Sequence, residues 1–212
     1  MSTREKLLLA TQEALVEDGI AHLSARSVAT RAGVNQALVF YHFGTVSELV
    51  EAAARALSDQ SVAHYRERFA AVDSLGGLLA LGEEVHAHER TTGNVAVMAQ
   101  LMAGAQRDEV LARTARYALD LWRSEVEAVV RRVLAPSPLA DVVDADGLAR
   151  AFSAAFIGLE LYEGVDADGA TAALAALERL GVLVEAVDDL GPVARRAVRA
   201  RLRRRSGKRS TS

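Results

Sequence analysis

With 212 residues, half of them hydrophobic and a quarter charged, the chain is long enough to bury a substantial core and too apolar to be disordered. It contains no Cys, 3 Pro and 5% aromatic residues, so disulfide frameworks, zinc fingers, iron–sulfur clusters and thiol catalysis are excluded, and an all-β sandwich is disfavoured. The formal charge of −3 conceals a division: residues 1–194 carry 16 Lys/Arg and all 28 Asp/Glu, net −12, whereas residues 195–212 carry the other 9 basic residues and no acid, net +9. There is no apolar run of about 18 residues, and the polar stretch from Met1 to Lys6 has no signal-peptide core behind it. The expectation is a soluble, cytoplasmic, all-α protein.

In chain order, Leu7, Leu8, Thr11, Ala14 and Leu15 make a one-sided stripe that Gly19 ends, in a position suited to a left-handed helix stop. Ser24 is placed to cap a short helix to about Arg31, with Val28 and Ala29 inward, and Ala32-Gly33-Val34 breaks it. Asn35 caps a second short helix to about His42, and Gly44-Thr45 precedes a long helix from Val46 to about Val72. Two short helices hinged on a three-residue turn containing Gly have the dimensions of a helix-turn-helix, although helical bundles also contain such corners. The charge of this region, −1 over residues 1–50, does not by itself suggest nucleic acid.

The residues Gly19, Val28-Ala29, Ala32-Gly33-Val34, Tyr41-His42-Phe43 and Ser47-Glu48-Leu49, within the stretch from Leu7 to Leu49, resemble the Tet repressor (TetR) family of transcription regulators. The resemblance covers the first quarter of the chain. It implies an all-α homodimer with an N-terminal three-helix DNA-reading domain and a C-terminal helical domain that binds a small ligand and dimerises. Three positions depart from the family pattern. Leu38 replaces a small or hydroxylic residue, Phe40 a Tyr, and Val46 a Lys, and each removes a phosphate contact. The DNA contacts expected to remain are Ser24, Arg26, Asn35, Tyr41, His42, Thr45 and helix N-terminal amides. Gln36 and Ala37, in the first turn of the reading helix, are the expected base readers, because Gln pairs bidentately with adenine. Leu38 and Phe40 belong to the same surface, with Leu38 a possible contact for a thymine methyl group. Val34, Val39 and Phe43 are read as core.

Further along, Asp73-Ser74 and Gly76-Gly77 are read as ending the fourth helix, Arg90 to Gly93 the fifth and Gly104 to Arg107 the sixth; Pro136-Ser137-Pro138 closes the seventh. The stripe Leu111, Ala115, Ala118, Trp122, Val126, Val129 and Val133 lays the seventh helix on a core. Helices over 148–163 and 171–187 are apolar around most of their circumference, the latter with Ala173, Leu177, Leu180, Val184 and Val187 on one stripe; this predicts a four-helix homodimer interface. Polar and aromatic groups on apolar faces nominate Gln60, His64, Met98, Met102, Tyr117, Trp122, Phe152 and Phe156 as the wall of a pocket for an apolar or aromatic effector, with Phe69 a further possibility. The expected division is 1–47 for DNA binding, 48–190 for ligand binding and dimerisation, and 191–212 for a basic helix and tail.

No catalytic residues, metal or cofactor are expected. The cluster Glu83, Glu84, His86, His88 and Glu89 contains a Glu-x-x-His, but no second copy exists to complete a di-iron site, and Gly-rich phosphate loops are absent. The reading is therefore a ligand-released transcriptional repressor. The alternatives are a helical ligand- or partner-binding protein without DNA contact and a metal-dependent helical-bundle enzyme. For the basic tail two readings stand: a solvated helix end that balances the acidic body, or a non-specific phosphate contact compensating for those missing at residues 38, 40 and 46. They differ in the slope of log affinity against log salt. Ending the chain at Ala194 makes that slope shallower, with base preference intact, if the tail neutralises phosphate, and leaves it unchanged if the tail is merely solvated.

Overall fold

The structure is a computed structural model that describes residues 1–137, 140, 143–188, 191 and 197, with only the backbone of 177, 178 and 180–188. Nine α-helices follow one another among the described residues: α1 (Thr3–Glu17), α2 (Ala25–Ala32), α3 (Ala37–Phe43), α4 (Val46–Ala71), α5 (Leu75–Thr91), α6 (Asn94–Gly104), α7 (Glu109–Leu134), α8 (Ala145–Glu163) and α9 (Ala167–Asp188). A single 3₁₀ turn, Ile20–His22, joins α1 to α2. The all-α class and the three-helix N-terminus are as expected. The basic tail and the proposed helix after Gly191-Pro192 lie outside the described residues, as do the side chains of Leu177, Leu180, Val184 and Val187.

The chain divides into two compact units. The first comprises residues 1–65 and 85–121, the second residues 66–84 and the chain from Trp122 onward. In the first, Leu7, Ala10, Ala25, Val28, Ala29, Val39 and Leu49 form the core of the three-helix head. A second cluster of Leu15, Val50, Ala53, Ala54, Val97, Leu101 and Ala115 follows, with Leu23 and Val46 packed against both. Helix α6 thereby packs against α1 and the 3₁₀ turn. Gln100 adds a polar tie: its Oε1 accepts the Ile20 amide at 2.7 Å. In the second unit α8 packs on α9. Arg123 and Arg150 hold Asp146, and Arg123 and Arg131 hold Glu127. The hydrogen bond from Arg150 keeps the Asp146 carboxyl below its usual range, and that from Arg131 does the same for Glu127.

Local capping explains where the observed boundaries depart from expectation. Gly76 and Gly77 do not end a helix; they lie in the first turn of α5, because the Ser74 hydroxyl accepts the Gly77 amide at 3.0 Å and starts a new helix there. Asp144 accepts the amides of Asp146 and Gly147, and so brings the start of α8 forward to Ala145. Asp166, accepting from Gly169 at 2.9 Å, starts α9 at Ala167. Gly19 has the positive φ expected, 79°, but an extended ψ of 164°, so the chain leaves α1 outright and does not curl into a left-handed cap.

The C-terminal end of α4 is closed by a residue far away in the chain. The Arg132 guanidinium donates to the Phe69 carbonyl at 2.7 Å and to the Val72 carbonyl at 3.0 and 2.7 Å. A cation on the last carbonyls of a helix satisfies orphaned acceptors and complements the helix dipole. Arg132→Ala is expected to lower stability by about 1 kcal/mol, since the side chain is partly solvated. Arg132→Lys should restore only part, because one ammonium cannot span both carbonyls. Chemical denaturation with an unchanged m-value checks this.

Candidate nucleic-acid interface

The turn between α2 and α3 is built by three local devices. The Ser24 hydroxyl accepts the Ser27 amide at 3.0 Å and the Ser27 hydroxyl accepts the Ser24 amide at 2.9 Å, a reciprocal cap on α2. Gly33 ends α2 at φ 66°, ψ 36°, the left-handed conformation, and the Val34 amide donates back to Ala29. Asn35 Oδ1 accepts the Ala37 amide at 2.8 Å, so the side chain proposed as the cap of α3 makes that bond. Thr45 then starts α4, accepting the Glu48 amide at 3.1 Å while its hydroxyl donates to the Glu48 carboxylate at 3.0 Å.

These bonds turn α3 so that Val39 is fully buried beneath it. Leu38 and Phe43 are half-buried and pack against the same core as Val34. Gln36, Ala37, Phe40 and Tyr41 are exposed together, on the outward face of one helix. Tyr41 is 80% exposed and Phe40 49%. His42 is half-buried, its ring meeting that of Tyr41 edge to face at 4.9 Å. Arg4 lies 5.0 Å above the Phe43 ring, which brings a cation from α1 to the end of α3.

Of the expected phosphate contacts, Ser24, Arg26 and Thr45 are exposed at the starts of α2 and α4, and Asn35 in the turn. The hydroxyls of Ser24 and Thr45 already serve as caps. Arg31, on the same helix as Arg26, is withdrawn from such a role: Glu17 holds it at 2.5 Å and Asp18 at 2.8 Å. This clamp, like the Gln100–Ile20 bond, joins residues distant in the chain and carried no sequence signal.

The residues nominated for an effector fall in both units. In the first, Gln60 and His64 are exposed, His64 stacked on His88 at 5.4 Å. Met98 and Met102 are half-buried on α6, Met102 against the second core cluster. The Tyr117 hydroxyl donates to Asp59 at 2.7 Å beneath Arg55, 4.5 Å from the ring; the bond to Asp59 raises the phenol above its ordinary range. In the second, the Trp122 ring meets Phe69 edge to face at 6.2 Å, Phe156 faces Gly82, and Phe152 is half-buried. The Glu83–Glu89 stretch is dispersed: Glu84 pairs with Arg68, the buried Glu89 accepts from Asn94 at 2.8 Å, and His88 stacks on His64. Among the described residues no three His, Asp or Glu side chains are placed to hold a metal ion, and no helix is long and apolar enough to cross a membrane.

The family model described as "Bacterial regulatory proteins, tetR family" matches residues 7–53, the segment that contains α1, α2, α3 and the start of α4. The likeness to that family is thus carried by the N-terminal segment of the chain. No curated protein sequence matches the chain. Among solved structures, a Rhodococcus protein assigned as a TetR-family transcriptional regulator is 25% identical, with TM-score 0.70 over 87% of this chain and 99% of its own. A second transcriptional regulator from Rhodococcus is also 25% identical, with TM-score 0.63 over 90% and 100%. The transcriptional regulator FadR from Bacillus subtilis, solved in complex with stearoyl-CoA, is 12% identical and shares the fold, with TM-score 0.66 over 83% and 96%. Within the matched segment, α3 carries exposed Ala37, Phe40 and Tyr41 over the buried Val39.

Two substitutions test the construction of that face. Gly33→Ala meets no steric obstacle but must hold a left-handed residue, at a cost of about 1–2 kcal/mol. Asn35→Ala loses a cap worth about 1 kcal/mol. Both are expected to shift the denaturation midpoint, and in the folded protein both weaken DNA binding in excess of any unfolded fraction, measured by titration at matched folded concentration.

Proposed function

We propose that the chain is a sequence-specific transcriptional repressor of the cytoplasm that binds a pseudo-palindromic operator as a homodimer and is released by a small apolar or aromatic effector. It does so without catalysis or cofactor. The observation that carries the DNA part is the exposed set of Gln36, at the N-terminal end of α3, and Ala37, Phe40 and Tyr41 along it, set by a left-handed Gly33 inside the segment that matches the tetR-family model. A recognition helix presents its N-terminal turn to base edges, so Gln36 and Ala37 read bases. Ser24, Arg26, Tyr41, His42 and Thr45 flank them as phosphate contacts, and Asn35 belongs to the same DNA-facing surface.

Dimerisation is supported by α8, whose exposed positions Ala151, Ala154, Gly158, Leu161 and Tyr162 recur along one face and are followed by Val165, 89% exposed. Two copies of such a face bury each other about a two-fold axis. Such an axis imposes a pseudo-palindrome on the DNA. Effector control is supported by the half-buried aromatic and Met side chains named above, and by the fold shared with a protein solved with stearoyl-CoA. It is also supported by the Gln100–Ile20 bond, which ties α6, the helix of Met98 and Met102, to the α1–α2 corner. A ligand acts only through a difference in affinity between the DNA-competent and released arrangements.

Replacing Gln36 by Ala is expected to relax base choice at one position in each half-site, at about 1–3 kcal/mol for the preferred base. Binding to operators carrying each base at each position measures it, and equal binding to every sequence before and after the change contradicts the reading role. In the same assay, a compound library is expected to contain molecules that release the DNA. A folded Trp122→Ala variant that releases identically removes Trp122 from the effector site.

A further inference from the structure

We propose that Phe40 determines specificity by packing its ring on the C5-methyl group of a thymine in the major groove, so that each half-site carries a required thymine close to the base read by Gln36. This rests on the DNA-binding reading above and goes beyond it by naming a base and the atom that is recognised.

Leu38, Phe40 and Val46 are alike in sequence, each an apolar side chain that offers nothing to a phosphate, yet the structure separates them. Leu38 and Val46 spend their apolar surface on the core of the head. Phe40 does not: with Val39 turned fully inward beside it, its ring is 49% exposed on the outward face. Exposure of one large apolar side chain is commonplace; what decides here is its place. Phe40 lies one helical turn after Gln36 and three residues after Ala37, and all three are exposed, so Ala37 and Phe40 form an apolar pair beside Gln36 on the face that meets the DNA.

A phenyl ring has no donor or acceptor. It cannot take a phosphate, and it cannot read an amide or carbonyl edge. The one apolar group that distinguishes a base in the major groove is the thymine methyl. Ala37 extends the contact without obstructing it, and Tyr41, 80% exposed beside the pair, supplies a hydroxyl for the backbone. Four residues of α-helix advance about 6 Å and successive base pairs about 3.4 Å, so the thymine lies within about two base pairs of the base paired with Gln36.

The experiment uses the full chain and a duplex obtained by selecting random DNA fragments on it. Each thymine of the selected site is replaced in turn by uracil, which keeps every hydrogen-bonding group and removes only the methyl. One position per half-site is expected to lose affinity by about fourfold, the value of burying one methyl group, and by about sixteenfold when both half-sites are changed. In Phe40→Ala the same uracil duplexes bind as well as the thymine duplex; in Phe40→Tyr, which keeps the ring, the thymine preference persists. A selected site in which every thymine is replaceable by uracil without loss overturns the proposal while leaving DNA binding intact. So does a uracil penalty of equal size in the native chain and Phe40→Ala. Failure to select any fragment overturns the DNA-binding reading itself, and the proposal with it.

Discussion

A seven-residue helix cannot hold itself together in water, because nucleating a turn costs more than so few hydrogen bonds return. Helix α3 therefore exists only through what is packed beneath it and what fixes its ends. Val39 is fully buried against a core that includes Leu7, Val28 and Leu49, and a side chain of that size contributes roughly 1.5–3 kcal/mol on burial. Gly33 sets the angle at which α3 leaves α2, and Asn35 secures its first turn. With Val39 inward, Ala37 and Tyr41 fall on the opposite side of the helix, and Gln36 and Phe40 are exposed beside them. The chemistry offered to DNA follows from one buried contact and one backbone conformation.

The head is continuous with the rest of its unit through shared side chains. Leu23 and Val46 pack against both core clusters, and the Gln100 carboxamide engages the amide of Ile20 just where α1 gives way to α2. Gly19, whose positive φ opens that corner, has Gln100 directly over its Cα. Helix α6 is thus in direct contact with the α1–α2 corner.

What was legible in the sequence was what is local. Ser24, Gly33, Asn35 and Thr45 each act on amides or dihedrals within a few residues, so the helix-turn-helix could be laid out from chain order alone. Gly76-Gly77 misled, because a pair of glycines reads as a break while Ser74, two residues earlier, turns the same stretch into a helix start. Contacts across long separations gave no signal. Nothing local distinguishes Gln100 from any other Gln, or marks Arg132 as the residue that closes α4 some sixty positions away. Phe40 is an intermediate case. In sequence it is merely a missing hydroxyl, and helical spacing sets Leu38 and Phe40 at equal angles on either side of Val39; the packing of the head separates them.

For the protein to act as a regulator of chosen sites, α3 must present a face that discriminates sequences, not only one that tolerates phosphate. The direct measurement is the ratio of affinities of the full chain for a selected duplex and for a scrambled duplex of identical length and composition, at physiological salt. A sequence reader is expected to prefer its own site by a factor of about 10³ or more. A ratio near one, with both affinities falling equally as salt rises, would contradict the account and leave only counterion-driven binding.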